Sequence, residues 1–177
     1  MFAKKFPKLQ LYGIDISKEA IRICKNKKYN VEQAYAHKLS FSNKSIDLVF
    51  HLDGMEHIPK EWENKTLTTQ FNIAKKFVIH SIACHSEKDR DKYLKENYTP
   101  LHINIKKPFE WKEIIDQIAR IYNFKLIYCN IKKKRLDLIY ASNEIQPKYY
   151  NKIDSTKIKL IRKIKKLTNI LFFNFNK

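Results

Sequence analysis

Ser45-Ile46-Asp47-Leu48-Val49-Phe50-His51-Leu52-Asp53-Gly54-Met55-Glu56-His57-Ile58-Pro59 is the stretch whose reading decides the fold. Ile46 to Leu52 is an apolar, β-rich run of the length of one buried strand, and it breaks at Asp53-Gly54 into a polar turn. In open α/β sheets, ligands bind in the crevice at the carboxyl ends of the strands. If this strand is parallel to its neighbours, Asp53, Glu56 and His57 sit on the functional edge.

Outward from it, the chain alternates strands and helices. Leu9 to Ile16 reads as a strand ending at Asp15, and Ser17 then caps a helix running to about Lys27, with Glu19 in its first turn. An acid at a strand end followed at once by a capped helix has two readings. It can accept hydrogen bonds from both hydroxyls of a ribose diol, or it can close a local Asp-x-Ser turn. Asn30 to Ala36 is a second short strand. Trp62 to Lys76 has helical spacing at Leu67, Phe71 and Ala74, and Phe77 to Ile82 is another buried strand. This alternation predicts βαβ units and a mostly parallel sheet.

Ser86 to Asn97 is charged and reads as a solvated helix or loop. Pro108 is placed to start a helix whose apolar face is Trp111, Ile114, Ile115, Ile118, Ala119 and Tyr122. Phe124 to Asn130 and Leu136 to Ala141 are separated by a short basic link, which predicts an antiparallel hairpin closing the sheet. Pro147 marks the boundary between a domain over residues 1–147 and a tail over 148–177. The tail has nine Lys or Arg and one acid, Asp154. Ile153, Lys157, Ile161, Ile164, Thr168 and Leu171 give it an imperfect stripe, read as a basic amphipathic helix. Three readings compete for that helix: packing on the domain, lying on a membrane surface, or binding nucleic acid.

Composition limits the possibilities. With 177 residues, 44% of them hydrophobic, the chain can bury a core, and it does not read as disordered. Thirty-six Lys and Arg against eighteen Asp and Glu leave a formal charge of +18. That charge attracts anionic partners, or it reflects a bias towards Lys, Asn and Ile throughout the chain. Cys24, Cys84 and Cys129 form no Cys-x-x-Cys pair, so neither structural zinc nor a disulfide framework is expected, and a reducing compartment, the cytoplasm, is. No signal peptide and no run long enough to span a bilayer is read from the sequence.

Taken together, Leu-Tyr-Gly-Ile-Asp-Ile-Ser-Lys-Glu-Ala-Ile at 11–21 and the stretch at 45–59, in that order and at that separation, resemble the class I S-adenosylmethionine-dependent methyltransferases over roughly residues 9 to 141. The resemblance implies a Rossmann-like α/β fold, a seven-stranded mostly parallel sheet with a terminal antiparallel pair. It implies S-adenosyl-L-methionine as cofactor, with Asp15 and its neighbour Ile16 at the ribose, and with Tyr35 and Ala36 near adenine in place of the family's usual Gly-Asp-Ala. His51, Leu52 and Asp53 then fall against the cofactor, and Glu56 and His57 towards the acceptor.

Two departures stand out. The family's first strand and its Gly-x-Gly loop have no counterpart, since the chain has only Gly13 and Gly54, so the resemblance implies a fold incomplete at its N-terminus. The adenine-side carboxylate is also replaced, at Tyr35-Ala36-His37. Methyl transfer needs an aligned acceptor and, for a hydroxyl or amine, a base. His57 is the first candidate base and His102 the second, and each has a plain structural alternative as a locally hydrogen-bonded histidine. His51, Asp53 and His57 lack the His-x-x-x-His spacing of a helical metal site, and no metal is expected. Leu-His-Ile-Asn at 101–104, followed by Pro108-x-x-Trp111, resembles glycan-linked members and points to a small-molecule or carbohydrate acceptor. An RNA acceptor, or a non-catalytic domain binding nucleic acid or a membrane surface through the tail, is the alternative.

Overall fold

The computed structural model describes residues 9–85, 102–132, 134–147 and 170–175. Strand β1 (Leu9–Asp15) leads into helix α1 (Lys18–Asn26), and the helix starts where the sequence predicts because the Ser17 hydroxyl accepts from the Ala20 amide. Strand β2 (Val31–Gln33) follows, then β3 (Ile46–Leu52) and a 3₁₀ turn at Met55–His57. Helix α2 (Lys60–Ile73) runs without a linker into β4 (Ala74–Ala83), three residues earlier than the periodicity placed that strand. Helix α3 (Pro108–Ile121) starts on its proline, and β5 (Phe124–Lys132) and β6 (Arg135–Ser142) form the expected antiparallel hairpin. The stretch Ser86 to Asn97 lies outside the described residues.

One mixed sheet of seven strands has the order β2-β1-β7-β3-β4-β6-β5, where β7 is Ile170–Phe175. Pairs β1–β2 and β3–β4 are parallel, and β7 pairs antiparallel with both β1 and β3. Strands β1 to β4 therefore all run in one direction, and their carboxyl ends share an edge. Ile170 is opposite Ile14 on one side and His51 on the other, so the ends of β1 and β3 are level, two strand spacings or about 9.6 Å apart.

This placement of 170–175 corrects the amphipathic-helix reading of the tail: these six residues, Leu171 among them, are strand, and residues 148–169 lie outside the described part. The helical stripe treated Leu171 as one contact in a 3.6-residue period. The run Ile-Leu-Phe-Phe-Asn-Phe at 170–175 is instead aromatic and β-favouring, and it finds two open strand edges to pair with.

The core lies mainly on one face of the sheet. Trp111 and Ile115 of α3, Leu67 and Phe71 of α2, and Val49, Val78, Leu138 and Tyr140 of the strands are all buried together. The Phe71 ring meets Phe124 and Tyr140 edge-on at 5.3 and 5.4 Å, a favoured geometry for aromatic pairs. Tyr140 is buried, and its hydroxyl is satisfied by donating to Asp116 Oδ1 at 2.6 Å. A smaller cluster of Phe50, Leu52, Ile79 and Ile139 occupies the opposite face. Among the described residues, no helix is long and apolar enough to cross a membrane.

Candidate functional site

Two groups of predicted residues meet the carboxyl edge from either side of β7. On the β1 side, Asp15 ends its strand half-buried, and its Oδ1 accepts from the Ser17 amide at 2.8 Å. The local turn read as an alternative in the sequence is therefore present, and it occupies one carboxylate oxygen. Ile16 is 64% exposed and Tyr35 58% exposed, both open to a ligand at this edge. Ala36 is buried in the core. Next to it, His37 stacks on Trp62 at 4.2 Å with the rings 7° apart, and this contact joins the loop after β2 to the start of α2.

On the β3 side the side chains are buried and cross-linked. His51 is 1% exposed, its Nδ1 lies 2.9 Å from Gln70 Nε2, and burial with His80 and His57 nearby lowers its pKa to about 3. Leu52 packs with Phe50 on the other face. The structure thus turns both side chains expected at the cofactor into packing. A strand buried along nearly its whole length hides this, because it offers no alternation that separates packing positions from ligand-facing ones.

Asp53 terminates β3 with φ of 47°, a left-handed conformation that Asp tolerates better than most residues. Its carboxylate accepts from Arg135 at 2.7 Å, and the same guanidinium nitrogen donates to the Ser81 hydroxyl, which in turn donates to Asp137. Gly54 follows, and a Cβ there would lie 2.0 Å from His51 Nε2. Glycine is required because the neutral imidazole fills the space beneath the turn.

Beyond Gly54 the 3₁₀ turn delivers Glu56 and His57. Glu56 has no exposed surface; its Oε1 accepts from the Ala83 amide at 3.2 Å, and its Oε2 is buried with no hydrogen-bond partner. Burial pushes its pKa up, against the opposing pull of backbone amides, His57 and Arg135. The Glu56 carbonyl accepts from the amides of Ile103 and Asn104, both at 3.0 Å, and this brings His102, 45 positions further along the chain, beside His57 with ring centroids 4.8 Å apart. His102 Nδ1 lies 2.7 Å from His85 Nε2. Burial first, then the neighbouring His57 and His85, lower the His102 pKa, so its imidazole is neutral at neutral pH and able to accept a proton.

The structure therefore joins His57 and His102, the two candidate bases, with Glu56, and adds His85, which sequence reading missed. His85 follows Cys84 directly after β4, and only the strand topology shows that the end of β4 adjoins the end of β3. Arg135 was missed for the same reason. Asn104 and Lys106, in the stretch that resembles glycan-linked proteins, instead anchor that loop, since both donate to the buried Glu63 carboxylate and Lys106 lies 4.5 Å over the Trp111 ring.

The site fits one part of the expected cofactor. Asp15 leaves one carboxylate oxygen for a ribose hydroxyl. No glycine-rich turn for the methionine part is found among the described residues, and the strand between β1 and β3 has its amino end, not its carboxyl end, at this edge.

Residues 1–76 match the model of a methyltransferase domain family. No curated protein matches the chain. Among solved structures, it is similar to magnesium protoporphyrin IX methyltransferase from Synechocystis PCC 6803 with bound SAH, at 16% identity over 75% of this chain and 64% of that one, with a TM-score of 0.58. A possible histamine N-methyltransferase from Thermotoga maritima is similar at 16% identity, over 75% of this chain and 72% of that one, with a TM-score of 0.55. A SAM-dependent methyltransferase from Methanosarcina mazei gives 15%, 74%, 81% and 0.55 for the same measures. The chain thus spans just under two thirds of the Synechocystis enzyme. These likenesses establish the fold.

Proposed function

We infer that this chain, which carries a class I S-adenosylmethionine-dependent methyltransferase domain, serves methyl transfer to a small-molecule or carbohydrate acceptor in the cytoplasm. The observation that carries the reading is the meeting of two chemistries at one sheet edge: the Asp15 carboxylate at the end of β1, and the Glu56–His57–His102 group beyond β3, with the two strand ends level across a single intervening strand.

The residues divide the work. Asp15 accepts from a ribose hydroxyl, with Tyr35 exposed nearby to stack on a base. The cofactor supplies a methyl group already activated on a sulfonium. On the other side, His102 is neutral and accepts the acceptor's proton, and the Glu56 carboxyl stands close enough to stabilise the imidazolium that results. His57 lies edge-on to His102 and offers a second acceptor for the same proton. The Asp53–Arg135 ion pair fixes the turn that presents this group.

A second reading, an RNA acceptor, is favoured by the formal charge of +18. RNA binding that falls steeply with salt would support it, and no salt-dependent binding would remove it.

Calorimetric titration of S-adenosylmethionine into the full chain tests the main reading. Saturable binding by the natural chain, lost in Asp15→Ala, is expected. Equal affinity in both would show that Asp15 does not hold the ribose, and no binding to the natural chain would sink the enzyme reading in favour of an interaction domain.

A further inference from the structure

We propose that Glu56, His57 and His102 form a binding site for a borderline divalent cation, zinc foremost. One donor atom from each lies within 4.8 Å of the others. Two imidazoles and one carboxylate are a ligand set suited to zinc and similar first-row ions, and too rich in nitrogen for magnesium or calcium. Three protein ligands leave at least one coordination position open.

The second observation is the state of Glu56. This side chain is fully buried, yet its Oε2 has no hydrogen-bond partner. An orphaned carboxylate oxygen in the interior is costly, and a cation removes that cost directly. His85 completes the arrangement. His102 Nδ1 lies 2.7 Å from His85 Nε2, and in the tautomer in which His102 Nδ1 donates to His85, Nε2 of His102 carries the lone pair for the metal, the usual support for a ligating histidine.

Zinc with bonds near 2.0–2.1 Å needs ligand atoms about 3.3 Å apart, so the three donors must close by roughly 1.5 Å at most. His57 and His102 are both half-buried and can make that movement by rotating about their side-chain bonds, while the backbone hydrogen bonds from Ile103 and Asn104 to Glu56 hold the two segments together. The inference rests on the acceptor-side reading above and changes the part played by its histidines: with their lone pairs on the metal they act as ligands and not as bases, and an acceptor oxygen at the open position is acidified there and releases its proton to solvent water. The binding itself does not depend on methyl transfer.

The test uses the metals alone, without S-adenosylmethionine. Zinc is titrated calorimetrically into the metal-stripped full chain, into Glu56→Gln and His102→Ala, and into His85→Ala, which removes only the supporting partner. One zinc per chain is expected, with affinity lost by tenfold or more in the first two variants and roughly tenfold in the third. Cobalt, as a spectroscopic substitute, should give visible absorbance without a thiolate charge-transfer band. Stoichiometry and affinity unchanged by all three substitutions would overturn the proposal, as would a thiolate band reporting binding at a cysteine, or magnesium binding as tightly as zinc. Circular dichroism identifies a variant that fails to fold, and the cobalt spectrum of the natural chain then decides alone.

Discussion

The two flanks of the site are built differently. On the β1–β2 flank the candidate residues are exposed or half-buried, β2 is only three residues long, and Asp15 is held by a turn two residues away. On the β3–β4 flank, Glu56, His85, Arg135 and His102 arrive from four separate segments and are held by hydrogen bonds, from the Ile103 and Asn104 amides to the Glu56 carbonyl, between His85 and His102, and from Arg135 to Asp53 at the turn before Glu56. Strand β7, paired to both, the His37–Trp62 stack and the hydrogen bonds of Asn43 and Lys44 to Asn72 on α2 tie the flanks together. A cofactor surface can be shallow because affinity comes from a few hydrogen bonds. A group that must hold a proton or a cation needs a dry, preorganised setting, and the cost of that setting falls on the core beneath it.

That difference can be probed in order of expected effect. The β3–β4 flank should fail first in acid. His51 and His80 are buried, and burial chiefly lowers both pKa values to about 3. A depressed histidine pKa means that the unfolded chain binds protons which the folded one refuses, so the stability is present above about pH 6.5 and is lost as pH falls from there towards 3. The two together cost roughly 3 kcal/mol per pH unit, and denaturant melts between pH 7 and 4 should show this loss. A pH-independent stability would contradict the burial of the two rings.

Next, Phe172→Pro should separate the flanks. Phe172 is opposite Tyr12 on one side and Val49 on the other, and a proline in a central strand removes a ladder donor and clashes, costing about 3 kcal/mol or more. Hydrogen exchange should accelerate in β1 before β4. Uniform acceleration in both would mean that β7 does not splice the sheet.

Gly54→Ala should cost about 1–3 kcal/mol, because the new Cβ meets the His51 ring. The cost should shrink when His51 is also shortened to alanine, and additive losses in the double variant would place the strain elsewhere. The smallest effect is expected for Trp62→Ala, about 1 kcal/mol from loss of the His37 stack, read as a small fall in Tm and a weaker coupling of the loop after β2 to α2.

The same contrast explains what the sequence made legible. Asp15, Ser17 and α1 follow local rules, a strand end and a cap, and the structure reproduces them. Ile46 to Leu52 is a strand with the predicted bounds for the same reason. The β3–β4 site was legible only in part: Glu56 and His57 are in the decisive stretch, but His85 and Arg135 come to it through strand neighbours that no local period encodes. His51 misled because a polar residue in a buried strand reads as functional until its partner, Gln70 on α2, is seen. The tail misled because a hydrophobic run of six residues fits a helical stripe and a strand equally well, and the tertiary vacancy between β1 and β3 decides.

The central claim, that a cofactor held at Asp15 reaches across to the acceptor-side group beyond β3, is tested most directly by amide hydrogen exchange of the full chain with and without S-adenosylhomocysteine. The account predicts added protection at two separate places, Asp15 to Lys18 and Asp53 to His57. Protection at only one of them, or at neither under saturating ligand, would contradict it.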